Sequence, residues 1–126
     1  MAGKKVVVLG ASDNPERYSY KAVKMLSEHK YEVIPVHPTL DSIEGFKVVK
    51  ELDDIKDDIY TLTVYVGPAR ISPLIEGIVK LKPQRVVLNP GTESDELKAA
   101  LDKASIKYLE ACTLVLLRTG QFESAF

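Results

Sequence analysis

Residues 6–26 read VVVLGASDNPERYSYKAVKML. The stretch begins with three valines and a leucine, turns at Gly10, and continues from about residue 19 to 29 with Ala22, Val23 and Leu26 at helical spacing. A strand that is apolar at every position suits a parallel sheet covered on both faces, since neither side of it meets water. The stretch therefore predicts the opening βα unit of an alternating fold.

The rest of the chain repeats the pattern. Residues 31–38 (YEVIPVHP), 59–66 (IYTLTVYV), 84–89 (QRVVLN) and 106–111 (IKYLEA) are four further strand candidates, rich in β-branched and aromatic side chains. GFKVV, from Gly45, is expected as a short edge strand and KELDDI, from Lys50, as one helical turn. A helix is expected to start with Ser72 as N-cap and Pro73 at its first position. Another should start at Thr92, which with Asp95 resembles a capping box. The tail from Thr113 to Gly120 reads either as a helix or as an additional strand. The expectation is an α/β, Rossmann-like, doubly wound fold with a mostly parallel five-stranded sheet and helices on both faces. Ligands of such sheets bind beyond the carboxyl ends of the strands. That directs attention to the loops at 10–18, 37–45, 67–71, 89–92 and 111–113.

Bulk properties narrow the class. At 126 residues, residues 1–126 are expected to form a single domain, as domains hold roughly 100–200 residues. A formal net charge of -1 lacks the basic footprint of a nucleic-acid binder. No apolar run reaches the ~18 residues of a membrane span, and the first residues lack a signal-peptide h-region. The one cysteine, Cys112, cannot close an internal disulfide, and no Cys/His cluster has metal-ligand spacing. A reduced, cytoplasmic protein with no membrane and no nucleic-acid partner is expected. The acidic residues Asp53, Asp54, Asp57 and Asp58 lack EF-hand spacing and read as a solvated turn.

The first loop carries the chemistry. Gly10 permits the turn out of the strand, and the amides that open the next helix attract anions, phosphate above all. Arg17 would add a charge-assisted contact, and Ser12 and Ser19 would offer hydroxyls. The same residues also suit an ordinary turn. A dinucleotide fingerprint would need glycines at 12 and 15, where Ser12 and Pro15 stand. The second strand ends Val36-His37-Pro38, without the acid that reads a ribose diol. A phosphate-bearing ligand survives both departures better than NAD does.

The G-A-S-x-x-P-x-R loop, combined with the P-V-x-P strand end, resembles the small stand-alone CoA-binding domain proteins. These are similar to the CoA-binding domain of the succinyl-CoA synthetase alpha subunit, and the resemblance runs from about Lys4 to Cys112. It implies that coenzyme A, free or acylated, is the cofactor. Gly10, Ala11, Ser12, Asn14, Arg17 and Ser19 would hold its phosphates, with Tyr18 covering the ligand. Val36, His37 and Pro38 would line it, Val66, Gly67 and Pro68 would flank the adenine, and Asn89, Pro90 and Gly91 would approach the pantetheine arm. Thr39 stands where the family often has a basic residue, which leaves Arg17, Lys21 and His37 to balance the phosphates. Cys112 is a candidate contact for the coenzyme's thiol, although a lone cysteine reads first as a small buried hydrophobe.

No nucleophile, base and orienting acid fall into a recognisable motif, and the phosphorylated-histidine region of the synthetase lies outside the part that this chain resembles. The sequence thus predicts a non-catalytic binder of CoA or acyl-CoA. The alternatives are an NAD(P)-binding module or small oxidoreductase, and an interaction domain without an obligatory small ligand.

Overall fold

The computed structural model describes residues 4–125. In chain order the elements are β1 (Lys5–Leu9), α1 (Tyr18–Glu28), β2 (Glu32–Val36), the hairpin β3 (Ser42–Ile43) and β4 (Phe46–Lys47), β5 (Thr61–Val64), α2 (Pro68–Ile71), α3 (Ile75–Leu81), β6 (Arg85–Leu88), α4 (Asp95–Lys103), β7 (Lys107–Glu110) and α5 (Thr113–Arg118). Five strands form one parallel sheet in the order β2-β1-β5-β6-β7. The order reverses between β1 and β5, which makes their exits the switch point.

Period-two alternation sorts the apolar side chains into two cores. Val7, Leu9, Leu62, Val64, Val86 and Leu88 face Ile71, Ile78, Leu97 and Leu101 on one side. Val6, Val8 and Val87 face Val23, Leu26, Leu116 and Leu117 on the other. Burying each such side chain stabilises the fold by roughly 1.5–3 kcal/mol. As a result α1 and α5 cover one face, and α2, α3 and α4 the other. The register pairs Leu9 with both Val36 and Val64, Val64 with Leu88, and Leu88 with Glu110, so the carboxyl ends finish level.

Several boundaries depart from expectation. The helix expected at Ser72 begins at Pro68, with Gly67 before it; Ser72 already has helical dihedrals, and Pro73 imposes a 3₁₀ turn over Ser72–Leu74 before α3. Two prolines can each take a first helical position, and Pro68 is the one that follows the strand break. The expected capping box at Thr92 is absent. Ser94 Oγ accepts from the Leu97 amide at 3.1 Å, whereas Thr92 Oγ1 donates to the Asn89 carbonyl. The expected edge strand is half of a separate two-residue hairpin, joined to the main sheet by the single bridge Val36–Val49. The expected helical turn is a 3₁₀ turn at Leu52–Asp54. The tail is a helix, stopped by Gly120 at φ +72°. No helix among the described residues is long and apolar enough to cross a membrane.

Candidate functional site

A cleft of about 640 Å3 opens over the switch point, within the roughly 300–1,000 Å3 usual for small-molecule sites. Its walls come from the exits of β1, β2, β5 and β6. The structure brings together on them Gly10, Ala11, Ser12, Arg17, Tyr18, Ser19, Val36, His37, Pro38, Val66, Gly67, Pro90 and Gly91 of the residues expected from sequence. Asn14, Pro68, Asn89 and Cys112 are not among the lining residues. A second hollow of about 590 Å3 lies along β7, beside Asp102, Lys107 and Tyr108, away from all the predicted loops.

The turn after β1 is closed by the protein itself. The Gly10 and Ala11 amides both donate to the Val36 carbonyl, at 3.3 and 3.1 Å, so neither is directed at a ligand. Gly10 sits at φ +86°, and a Cβ there would come within 2.8 Å of Val66 Cγ2 and 3.1 Å of the Tyr65 backbone. Its glycine is a requirement of β1 packing against the β5 exit. Ser12 Oγ accepts from the Asn14 amide, and Asn14 Oδ1 accepts from the Glu16 amide, each at 3.0 Å. Asn14 therefore shapes the turn and is not among the lining residues.

What this turn leaves open is the start of α1. Arg17 occupies the N-cap position, no side chain caps the helix, and the first turn carries no acid. The resulting partial positive charge is unanswered by the protein. The Arg17 guanidinium is exposed and has no partner among the described residues. Tyr18 beside it is 68% exposed, a large aromatic surface at the cleft mouth. Lys21 sits 5.6 Å from the Tyr18 ring centre and is not on the cleft wall.

The β2 exit is fixed by side chains. His37 Nδ1 accepts from the Thr39 and Leu40 amides, each at 3.1 Å. These two donors assign the ring proton to Nε2, leaving one N–H donor free of the loop. Sequence reasoning missed Lys50. Its ammonium bonds the Thr39 and Leu40 carbonyls at 3.1 and 3.0 Å and the Asp41 carboxylate at 3.2 Å, and it lines the cleft beside a position where Thr39 brings no charge. Only the hairpin's return makes them neighbours, and no local signal announces it.

Across the switch point, Tyr65, Arg70, Pro73, Leu74 and Thr92 also line the cleft; Arg70 and Thr92 lie in the loops at 67–71 and 89–92 expected at this edge, without having been singled out as contacts. Burial pushes the Tyr65 phenol well above its ordinary range, with the Cys112 thiol nearby adding to the effect. Thr113 and Thr63 pull the other way, but the phenol oxygen closes no hydrogen bond of sound geometry; those two hydroxyls bond each other at 2.8 Å. Cys112 is half-buried beside Tyr65.

Asn89 is a latch. Its amide donates to Thr63 Oγ1 at 2.7 Å and to the Val64 carbonyl at 2.8 Å, and its Oδ1 accepts from the Thr113 amide at 2.8 Å. It is 2% exposed. The next loop is self-satisfied as well, since Glu93 accepts from the Gly91 amide. Among the described residues no group of three or more His, Cys, Asp or Glu could hold a metal.

A sequence profile described as "CoA binding domain" matches residues 4–118. The Bacillus subtilis (strain 168) uncharacterized protein YneT is 39% identical over 62 residues, covering 49% of this chain and 46% of that protein. A crystal structure of an uncharacterized protein superposes with a TM-score of 0.88 at 36% identity, covering 97% of this chain and all of that one. The dinucleotide-forming acetyl-coenzyme A synthetase 1 of Ca. Korarchaeum cryptofilum is similar in fold, with a TM-score of 0.75 at 19% identity over 87% of this chain and 26% of that one.

Proposed function

The chain belongs to the CoA binding domain family, and from that premise we propose that it binds coenzyme A or an acyl-CoA in the cleft over the switch point. The observation that carries this reading is the start of α1, an uncapped helix end flanked by an unpartnered arginine and lacking first-turn acids. The other helix of comparable length, α4, is capped by Ser94 and carries Asp95 and Glu96 in its first turn. Of these two longer helices, α1 is the one whose end stays available to an external anion.

The residues present fit the coenzyme. Arg17 and the first α1 amides would hold the pyrophosphate, with Ser12 and the His37 Nε2–H as neutral donors nearby. Val36, Pro38 and Val66 offer apolar surface, and Tyr18 a ring face, to the adenine. No carboxylate is among the lining residues. Asn14 and Asn89 act by shaping the loops and stay off the ligand. The fingerprint glycines and the diol-reading acid of an NAD site are both missing.

In this reading a single cytoplasmic domain holds the ligand without transforming it. The Ser12 hydroxyl and His37 Nδ1 on the wall are already tied into their own loops, and neither is arranged as a nucleophile with its base. Calorimetric titration with CoA, 3′-dephospho-CoA, NAD and NADP tests it. Heat is expected from CoA and little from the nicotinamide cofactors, and Arg17→Ala should weaken CoA binding about tenfold or more without lowering the melting temperature. Equal affinity for CoA and NAD, or an indifferent Arg17→Ala, overturns it. Acetyl-CoA recovered intact after prolonged incubation would support the non-catalytic part.

A further inference from the structure

Three cations line the cleft, and the strand order distributes them. Lys50 lies beside the β2 exit, Arg17 follows β1, and Arg70 follows β5. Lys50 is already satisfied by three oxygen acceptors. Arg17 and Arg70 have no partner among the described residues, and both are exposed. The helix that Arg17 opens packs through Val23 and Leu26 on one face of the sheet. The helical segment holding Arg70 packs through Ile71 and Ile75 on the other. Their parent helices therefore flank the sheet from opposite faces.

An unpaired guanidinium on a wall without carboxylates is a site for an anion, and its planar fork suits phosphate or carboxylate. A pyrophosphate held at the start of α1 is a single compact group on Arg17's side. We infer that Arg70 binds a second anionic group of the same ligand. This rests on the CoA reading and deepens it. The chemistry fits two parts of a CoA ester: the 3′-phosphate of the ribose, or a carboxylate at the end of a dicarboxylic acyl group.

Wild type, Arg17→Ala, Arg70→Ala and Arg70→Glu would be titrated with CoA, 3′-dephospho-CoA, acetyl-CoA and succinyl-CoA. Arg70 is exposed, so unchanged melting temperatures are expected. Loss of one charge-assisted contact should weaken a ligand carrying the second anion about tenfold in Arg70→Ala, and more in Arg70→Glu. If the 3′-phosphate is the partner, CoA, acetyl-CoA and succinyl-CoA weaken and 3′-dephospho-CoA does not. If the acyl carboxylate is the partner, only succinyl-CoA weakens. Four ligands unaffected by either Arg70 variant, or all four weakened alike, overturns the inference. Where wild type binds the ligands and Arg17→Ala weakens them, such a result removes the role of Arg70 alone; wild type binding none of the four removes the CoA reading together with it.

Discussion

Arg85 at the amino end of the sheet and Arg17 and Arg70 at its carboxyl end are held in opposite ways. At the amino end Arg85 is 5% exposed, donates to Thr61 Oγ1 at 2.8 Å and to the Phe122 and Glu123 carbonyls, and lies 4.4 Å over the Tyr60 ring and 4.7 Å over Phe122. Lys4 pairs with Glu123 at 3.4 Å and sits 4.3 Å over the Tyr60 ring, while Lys5 pairs with Asp57 and Glu32. At the carboxyl end, Arg17 and Arg70 face the cleft with their donors unspent. Charges committed to the fold stabilise it through many short contacts. Charges kept out of the fold add little to its stability.

The contrast breaks first, and hardest, at Arg85. Arg85→Ala should lose about 3–5 kcal/mol in urea denaturation, because buried carbonyls and Thr61 lose their donor and the aromatic cage loses its filling. Ligand affinity of the folded fraction should hold. Gly10→Ala comes next, at about 2–4 kcal/mol from backbone strain and overpacking against Val66, again measured by denaturant unfolding. Arg17→Asp sharpens the comparison most. It should weaken CoA binding ~100-fold by setting a carboxylate against phosphate, yet raise apo stability by about 0.5–1 kcal/mol, since Asp is a good N-cap where Arg is not. A destabilised Arg17→Asp protein would refute the claim that α1 is left uncapped for a ligand. Ser94→Ala should cost about 1 kcal/mol and leave CoA affinity alone.

The smallest effect concerns pH. The Tyr31 hydroxyl donates to Glu123 and, with Lys4 adding a smaller share, holds its carboxyl at about 2, below the ordinary 4.5. A depressed carboxylate stabilises the fold in full above about pH 4.5 and loses that contribution as pH falls toward 2. Melting temperature followed over that window should fall less steeply in Glu123→Gln than in wild type.

How much of this was legible in the sequence follows from how local each feature is. Continuous apolar runs such as Val6, Val7, Val8 and Leu9 disclosed a parallel sheet because both of its faces are buried. Level strand ends then placed the functional loops on one edge. Helix starts were harder: Ser72-Pro73 and Gly67-Pro68 carry similar chemistry, and Thr92 and Ser94 are both good caps. Tertiary packing decides between them. Lys50 was invisible as a wall residue, since a hairpin return brings it in, whereas Arg70 lay in an expected loop with nothing local to single it out. Asn89 was placed at the right edge, but its side chain is spent on Thr63, Val64 and Thr113, and a buried amide and a ligand-facing amide look alike in sequence.

The Asn89 latch has a consequence for timing. By tying the ends of β5 and β6 to the first residue of α5, it sets the cleft floor before any ligand arrives. Entry of a ligand then requires no rearrangement of that floor, and ordering is confined to the exposed side chains above it. Association should be limited by encounter and by the settling of Arg17 and Tyr18, with a rate that falls as salt screens the approach.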